Sequence, residues 1–202
     1  MDSELNEQEK LLIQEGIKKK YIAVAQSPNG RFNYPTGGEG IKKQGYPSDI
    51  ILDFPDPILE SFCGVGNPFS LGSINKGEVV LEIGCGAGFD SLMAAKMTGP
   101  QGEVIGIDIT AEMIKKAKKH SALLGLANVR FEVGKAETLT FKSQMFDVVI
   151  SNGVFNLTLD KEKALKETFR ALKPAGRLMI ADMVLVEALP SERVGRIENW
   201  YQ

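Results

Sequence analysis

The stretch Leu81 to Asp90, LEIGCGAGFD, places glycines at 84, 86 and 88 directly behind an apolar run. A residue without Cβ adopts positive φ at no steric cost and lets other atoms come close to the backbone, so alternate glycines here mark a sharp turn built for close contact. An apolar strand entering such a turn and a helix leaving it expose the helix's first N–H groups at the junction. That junction belongs to sheets in which strands and helices alternate, and the rest of the chain is read against it.

From Gly77 onward the pattern alternates as that architecture requires. Apolar runs at 78–83, 103–107, 129–133, 146–150 and 177–181 predict strands, and the intervening stretches 89–97, 111–124 and 161–172 predict helices. Near-continuous apolar strands imply a sheet covered on both faces. The expected fold class is α/β, a Rossmann-like doubly wound and mostly parallel sheet. Before it, residues 4–25 read as a helix with Leu5, Leu12, Ile13, Ile17 and Tyr21 near one face, broken at Ser27-Pro28-Asn29-Gly30. Residues 31–50, RFNYPTGGEGIKKQGYPSDI, read as an ordered loop or lid, followed by a short helix after Pro55 that ends near CGVGNP. The expected division is a helical and loop cap over 1–76, a ligand-binding sheet domain over 77–188 and a C-terminal helix over 189–202.

A formal net charge of -2 and a pI near 5.6 supply no basic footprint for nucleic acid, which leaves a small molecule as the expected partner. The chain opens with the polar MDSELNEQEK and carries only Cys63 and Cys85, and no apolar stretch is long enough for a signal or a membrane span. The expectation is a cytoplasmic protein with reduced thiols. No cluster of side chains suggests a metal site. His120, the only histidine, falls late in a Lys-rich helix and reads as a partly exposed helix residue.

Glycine spacing separates the candidate ligands. A dinucleotide turn GxGxxG would need glycine at the place of Phe89, whereas GxGxG with an acid two residues before it, Glu82, fits the S-adenosylmethionine (SAM) pattern. Asp108 stands at the end of the second strand, where a carboxylate accepts paired ribose hydroxyls. Either cofactor carries that ribose. Three readings follow: a small-molecule methyltransferase, a non-catalytic SAM-binding module or truncated methyltransferase, and, behind both, an NAD-dependent oxidoreductase.

LEIGCGAG, VIGIDIT, GKAETL, FDVVISNGVFNL and RALKPAGRLMIAD, in that order, resemble the motifs of class I SAM-dependent methyltransferases over roughly Gly77 to Val186. GNPFSLG, VIGIDITAEMIKKAK and VISNGVFNLTLDKEKALKETFRALKPAGRL are similar to the arsenite methyltransferase branch. The resemblance implies SAM as cofactor and S-adenosyl-L-homocysteine as product. It implies that Gly84, Cys85, Gly86 and Gly88 line the methionine part and Glu82 supports its amino group. It places Asp108 at the ribose, Ile109 and Met113 beside the adenine, Ala136 and Glu137 at its edge, and Asn152 and Gly153 near the sulfonium. No side-chain catalytic residue is obligatory, because the sulfonium is already a good leaving group. Tyr21, Tyr34 and Asn67 are the candidates to meet the acceptor, Tyr21 and Tyr34 as parts of a lid.

The departures are specific. Arsenite methyltransferases present cysteines to the metalloid, and Val65 and Gly153 occupy two of those places here. Cys63 and Cys85 alone do not make the trithiolate that arsenic(III) requires. Lys135 stands where relatives of this fold carry an acid facing the adenine amine. Beyond Asp182 the sequence reads as loop and helix without the family's last strand pair, so a candidate homodimer would cover the sheet edge.

Overall fold

The computed structural model describes residues 5–184 and Trp200. Helix α1, Glu7–Gln26, starts where Asn6 and Glu9 cap each other: the Glu9 amide donates to Asn6 Oδ1 at 2.9 Å and the Asn6 amide donates to Glu9 Oε2 at 2.8 Å. It stops at Ser27, which is extended before Pro28. Ile13, Ile17 and Val24 form its buried stripe, whereas Leu12, expected on that face, is 48% exposed.

Residues 31–50 differ from the loop expected there. They hold helix α2, Gly37–Lys43, and most of α3, Ser48–Ile51, and α4 follows at Asp56–Leu59. One of the glycines that made this stretch read as coil, Gly40, serves close packing instead. A Cβ on Gly40 would lie 2.6 Å from the Pro35 carbonyl oxygen.

The sheet strands are β1 (Val79–Ile83), β2 (Glu103–Asp108), β3 (Val129–Val133), β4 (Phe146–Asn152) and β5 (Leu172–Ala181), with α5 (Phe89–Thr98), α6 (Ala111–Leu123) and α7 (Lys161–Ala171) between them. All pairings are parallel, in the order β3-β2-β1-β4-β5. The order reverses at β1, which sits between β2 and β4, and the carboxyl ends of these strands open a crevice at that point. β5 begins earlier than the expected Arg177 because Phe146 pairs with Leu172 and Val148 with Arg177, leaving an irregularity around Ala175 at φ 63°.

Alternation along the strands divides the core. Val80, Val104, Val148 and Ile150 pack with Ala94 and Ala95 of α5, while Leu81, Ile83, Ile105, Ile107 and Val149 pack with Ala164 and Ala171 of α7. Each such fully buried aliphatic stabilises by about 1.5–3 kcal/mol. The N-terminal region joins the first side: Ile41, Tyr46, Phe54, Ile58 and Phe62 form one cluster with Phe89, Leu92 and Met93 of α5 and Ile114 and Ala117 of α6. The expected helix over 189–202 and the question of later strands fall outside the described residues, apart from Trp200.

Candidate functional site

The three glycines of the turn have three different surroundings. Gly84, at φ +72°, would drive a Cβ to 2.2 Å from Val154 Cγ2, so its bareness makes room for that side chain. Gly88, at φ +90°, lets Phe131 and Ala117 approach, with nearest atoms 2.9 and 3.0 Å from where a Cβ would stand. Gly86, at φ +50°, has nothing within 4 Å of that point. It faces open space, and that space is a cavity enclosing about 1180 Å³, its open mouth included.

Asp108 fixes the turn. Its Oδ2 accepts the Gly86 amide at 3.0 Å and its Oδ1 accepts the Thr110 amide at 2.8 Å, which binds the end of β2 to the turn after β1 and leaves each oxygen a further lone pair. From α6 a second tie arrives, because His120 Nδ1 donates to the Ala87 carbonyl at 2.9 Å. His120 is therefore buried, not the partly exposed residue expected. Burial holds its pKa below the ordinary value, and the imidazole acts as a neutral clamp.

Glu82 faces the same crevice from β1 and accepts a short hydrogen bond from Ser91 Oγ of α5. Asp90, next to Phe89 in the first turn of α5, accepts Tyr46 Oη at 2.7 Å on Oδ1 and Asn152 Nδ2 at 2.9 Å on Oδ2. Burial pushes the pKa of Glu82, Asp90 and Asp108 upward, Asp90 to about 6. None of the three carboxyls forms an ion pair among the described residues. Buried acids without a cation are costly, and a cationic ligand relieves that cost.

Asn152, expected to close the site near a sulfonium, lines the cavity but spends its side chain on the protein. Oδ1 accepts the amides of Val65 at 2.8 Å and Gly66 at 3.1 Å, and Nδ2 lies 2.8 Å from the Gly66 carbonyl and 2.9 Å from Asp90. One side chain thus staples the loop 64–66 to the end of β4. Tyr46 and Asp90 complete the staple, and sequence reasoning missed both. Asp90 lies inside the LEIGCGAGFD stretch, as the acidic residue in the first turn of α5.

Of the expected cofactor positions, Glu82, Gly84, Cys85, Gly86, Asp108, Ile109, Ala136, Glu137, Asn152 and Gly153 line the cavity. Gly88 and Met113 do not. Met113 packs with Val24 and Ala87 between α1 and α6. Among the expected acceptor residues, Tyr21 lines the main cavity and also a smaller one beside it, and Tyr34 lines only the smaller. Asn67 lines neither: it caps the 3-10 turn Pro68–Leu71 by accepting the Phe69 amide at 3.0 Å and donates to the Gly45 carbonyl at 3.1 Å. Cys63 lines the main cavity as a thiol that burial pushes up to about 12. Val65 and Gly153 are neighbours in space, since a Cβ on Gly153 would stand 3.2 Å from Val65 Cγ1. Among the described residues no group of His, Cys, Asp and Glu has the arrangement of a metal site, and no helix is long and apolar enough to cross a membrane.

The family described as "Methyltransferase domain" matches residues 74–202. An arsenite methyltransferase of Halobacterium salinarum is 38% identical over 157 residues, 78% of this chain and 40% of the relative. A ubiquinone/menaquinone biosynthesis C-methyltransferase of Pasteurella multocida is 40% identical over 111 residues, 54% of this chain and 41% of the relative. Among solved structures, an arsenic(III) S-adenosylmethionine methyltransferase from Chlamydomonas reinhardtii superposes with a TM-score of 0.60 at 30% identity, covering 79% of this chain and 53% of that one. The chain spans about two fifths of the length of these curated relatives.

Proposed function

The chain belongs to the class I SAM-dependent methyltransferases, and from that premise we propose that it methylates a small-molecule acceptor bound beside SAM in the cavity at the ends of β1, β2 and β4. The observation that carries the reading is the cavity's charge. Glu82, Asp90 and Asp108 are buried around a glycine turn and none of them forms an ion pair among the described residues, although Lys18 and Lys135 line the same cavity. A sulfonium and an ammonium suit that field, whereas the pyrophosphate of a dinucleotide would meet three carboxyls.

The chain's own residues fit the cofactor. The bare face of Gly86 admits the methionine part against the backbone, and Glu82 receives the amino group. The free lone pairs of Asp108 take the ribose hydroxyls, while its other lone pairs keep the turn in place. Ile109, Ala136 and Glu137 border the adenine, with the 134–137 backbone standing in for an acid at Lys135. Gly153 borders the sulfonium side, and Asn152 acts as a positioning residue through the 64–66 loop. Bound there, SAM supplies a methyl group whose bond to sulfur breaks as the bond to the acceptor forms, sulfur keeping the electron pair and the acceptor's proton leaving to solvent. The protein's part is to hold acceptor and methyl about 3–3.5 Å apart in a dry site. We assign the cap function to residues 1–76, from which Tyr21 and Phe62 reach the cavity wall.

Calorimetry with S-adenosyl-L-homocysteine beside a methyl-transfer assay over an acceptor panel tests this. Heat of binding together with transfer supports it. Absence of heat on folded protein would overturn it, and binding without transfer to any acceptor would reassign the chain as a non-catalytic SAM-binding module.

A further inference from the structure

The proposed cofactor carries one group that the cavity's acids repel. Glu82, Asp90, Asp108 and Glu137 line the cavity and suit a sulfonium and an ammonium, but a carboxylate at the methionine end meets like charge there. Among the described residues the cations lining the cavity are Lys18 and Lys135. Lys135 belongs to the 134–137 segment that borders the adenine in the reading above, and adenine and carboxylate are opposite ends of the cofactor. Lys18 belongs to α1.

The spacing along α1 accounts for its place in the wall. Gln14, Ile17, Lys18 and Tyr21 all line the cavity, and positions 14, 18 and 21 share one face of a helix. Further along, Val24 packs with Ala87 of the glycine turn, which lays α1 along the side where the methionine part is proposed. At 1.5 Å per residue, Lys18 stands about 9 Å up the axis from that contact. Ile17 is buried and anchors the face, whereas Lys18 is exposed, so its ammonium stays hydrated at the cavity's mouth. Lys18 forms no ion pair among the described residues. Gln14, one turn earlier, brings an amide that can donate to the second oxygen of a carboxylate.

We infer that α1 is the carboxylate clamp of the cofactor site: the Lys18 ammonium pairs with the cofactor's carboxylate, and the Gln14 amide donates to the same group. This rests on the methyltransferase reading above and gives the cap a part in holding the cofactor. The zwitterionic end is then read from two sides, its ammonium by the acids of the sheet and its carboxylate by the cap. A ligand that lacks the carboxylate loses the second half of that recognition.

Calorimetric titration of SAM and of decarboxylated SAM, which keeps the sulfonium, the amine and the adenosyl part, reads the clamp directly. The unaltered protein should bind SAM at least ~5-fold more tightly than the decarboxylated ligand, the scale of one partly exposed ion pair. Lys18→Met keeps the apolar stem and should erase or invert that ratio, since the acids then favour the ligand of higher positive charge. Lys18→Arg should keep the ratio, and Gln14→Leu should lower it without erasing it. Lys19→Met, which removes the neighbouring exposed charge outside the cavity wall, should leave it unchanged. Should Lys18→Met fail to fold, salt gives a reading without a variant: from about 0.1 M to about 1 M the Debye length shrinks from about 10 Å to about 3 Å, and the ratio should shrink with it. A ratio near one in the unaltered protein, a ratio indifferent to salt or to Lys18→Met, or one erased by Lys19→Met or Lys135→Met instead overturns the clamp and leaves the cofactor reading standing. Absence of binding by either ligand overturns the cofactor reading itself.

Discussion

The turn after β1 and the loop at 64–66 border one cavity but are held by opposite means. The turn's polar ties come from the next β-α unit, Asp108 on the Gly86 amide and His120 on the Ala87 carbonyl, while the missing Cβ atoms of Gly84 and Gly88 make room for Val154 after β4, Phe131 of β3 and Ala117 of α6. The loop carries no such local chemistry and is fixed by side chains distant in sequence, with Asn152 reaching back to Val65 and Gly66 and Tyr46 and Asp90 closing the network. The first region is a rigid floor for the proposed cofactor. The second is a wall whose position depends on a few polar contacts.

The largest expected effect breaks the floor. Asp108→Ala removes the proposed ribose contacts and the hold on Gly86 and Thr110 together. With hydrogen bonds to a charged group at about 1.5–3 kcal/mol each, the loss in adenosylhomocysteine affinity is ~100-fold or more. Calorimetry reads it directly. A change below a few-fold would mean that the carboxylate serves the turn alone.

Next comes the wall. Asn152→Ala frees the Val65 and Gly66 amides and leaves Asp90 with one partner fewer inside the protein, at an expected cost of about 2–4 kcal/mol in denaturant unfolding. Tyr46→Phe keeps the ring packed against Phe62 and Phe89 and removes only the hydroxyl. About 1 kcal/mol is expected for it. If both variants cost the same, the staple is a matter of packing rather than of hydrogen bonding.

This contrast explains what was legible. The strands, the turn and Asp108 follow from periodicity and spacing within a β-α unit, because the physics that fixes them is local. Helix α2 was hidden because its glycines argue for coil by propensity, although one of them, Gly40, is required by the approach to Pro35. Tyr46, Asp90 and the use of Asn152 were hidden because each acts through a partner 44 to 106 residues away. The same reasoning misplaced Asn67, whose side chain is consumed by a local cap, and Met113, which periodicity marks equally well as core or as site.

A smaller effect is expected where the two regions meet at the lid. Tyr34→Ala should lower kcat/KM by ~10-fold while adenosylhomocysteine affinity stays within about two-fold, because a lid acts on acceptor and water exclusion. Equal losses in both would make Tyr34 part of the cofactor floor.

The smallest effect is a pH dependence, and it separates the regions by charge. Asp90 is raised by burial from its ordinary 3.8 to about 6, so in the ligand-free protein its contribution to stability is fully present below about 4 and is lost as pH rises through about 6. Its proton is accommodated within the wall: the Tyr46 hydroxyl, 3.0 Å from the Gly66 carbonyl, turns to donate there and accepts from the protonated Asp90 instead. A bound cation favours the ionised carboxyls, so SAM affinity should fall as pH drops from 7 to 5, by at most about ten-fold through Asp90. Adenosylhomocysteine lacks the sulfonium charge and should weaken less over the same range. Parallel titrations of the two ligands check this. If their affinities fall together, the acids answer only to the amino group that both ligands carry, and the field of Glu82 and Asp90 does not reach the sulfur.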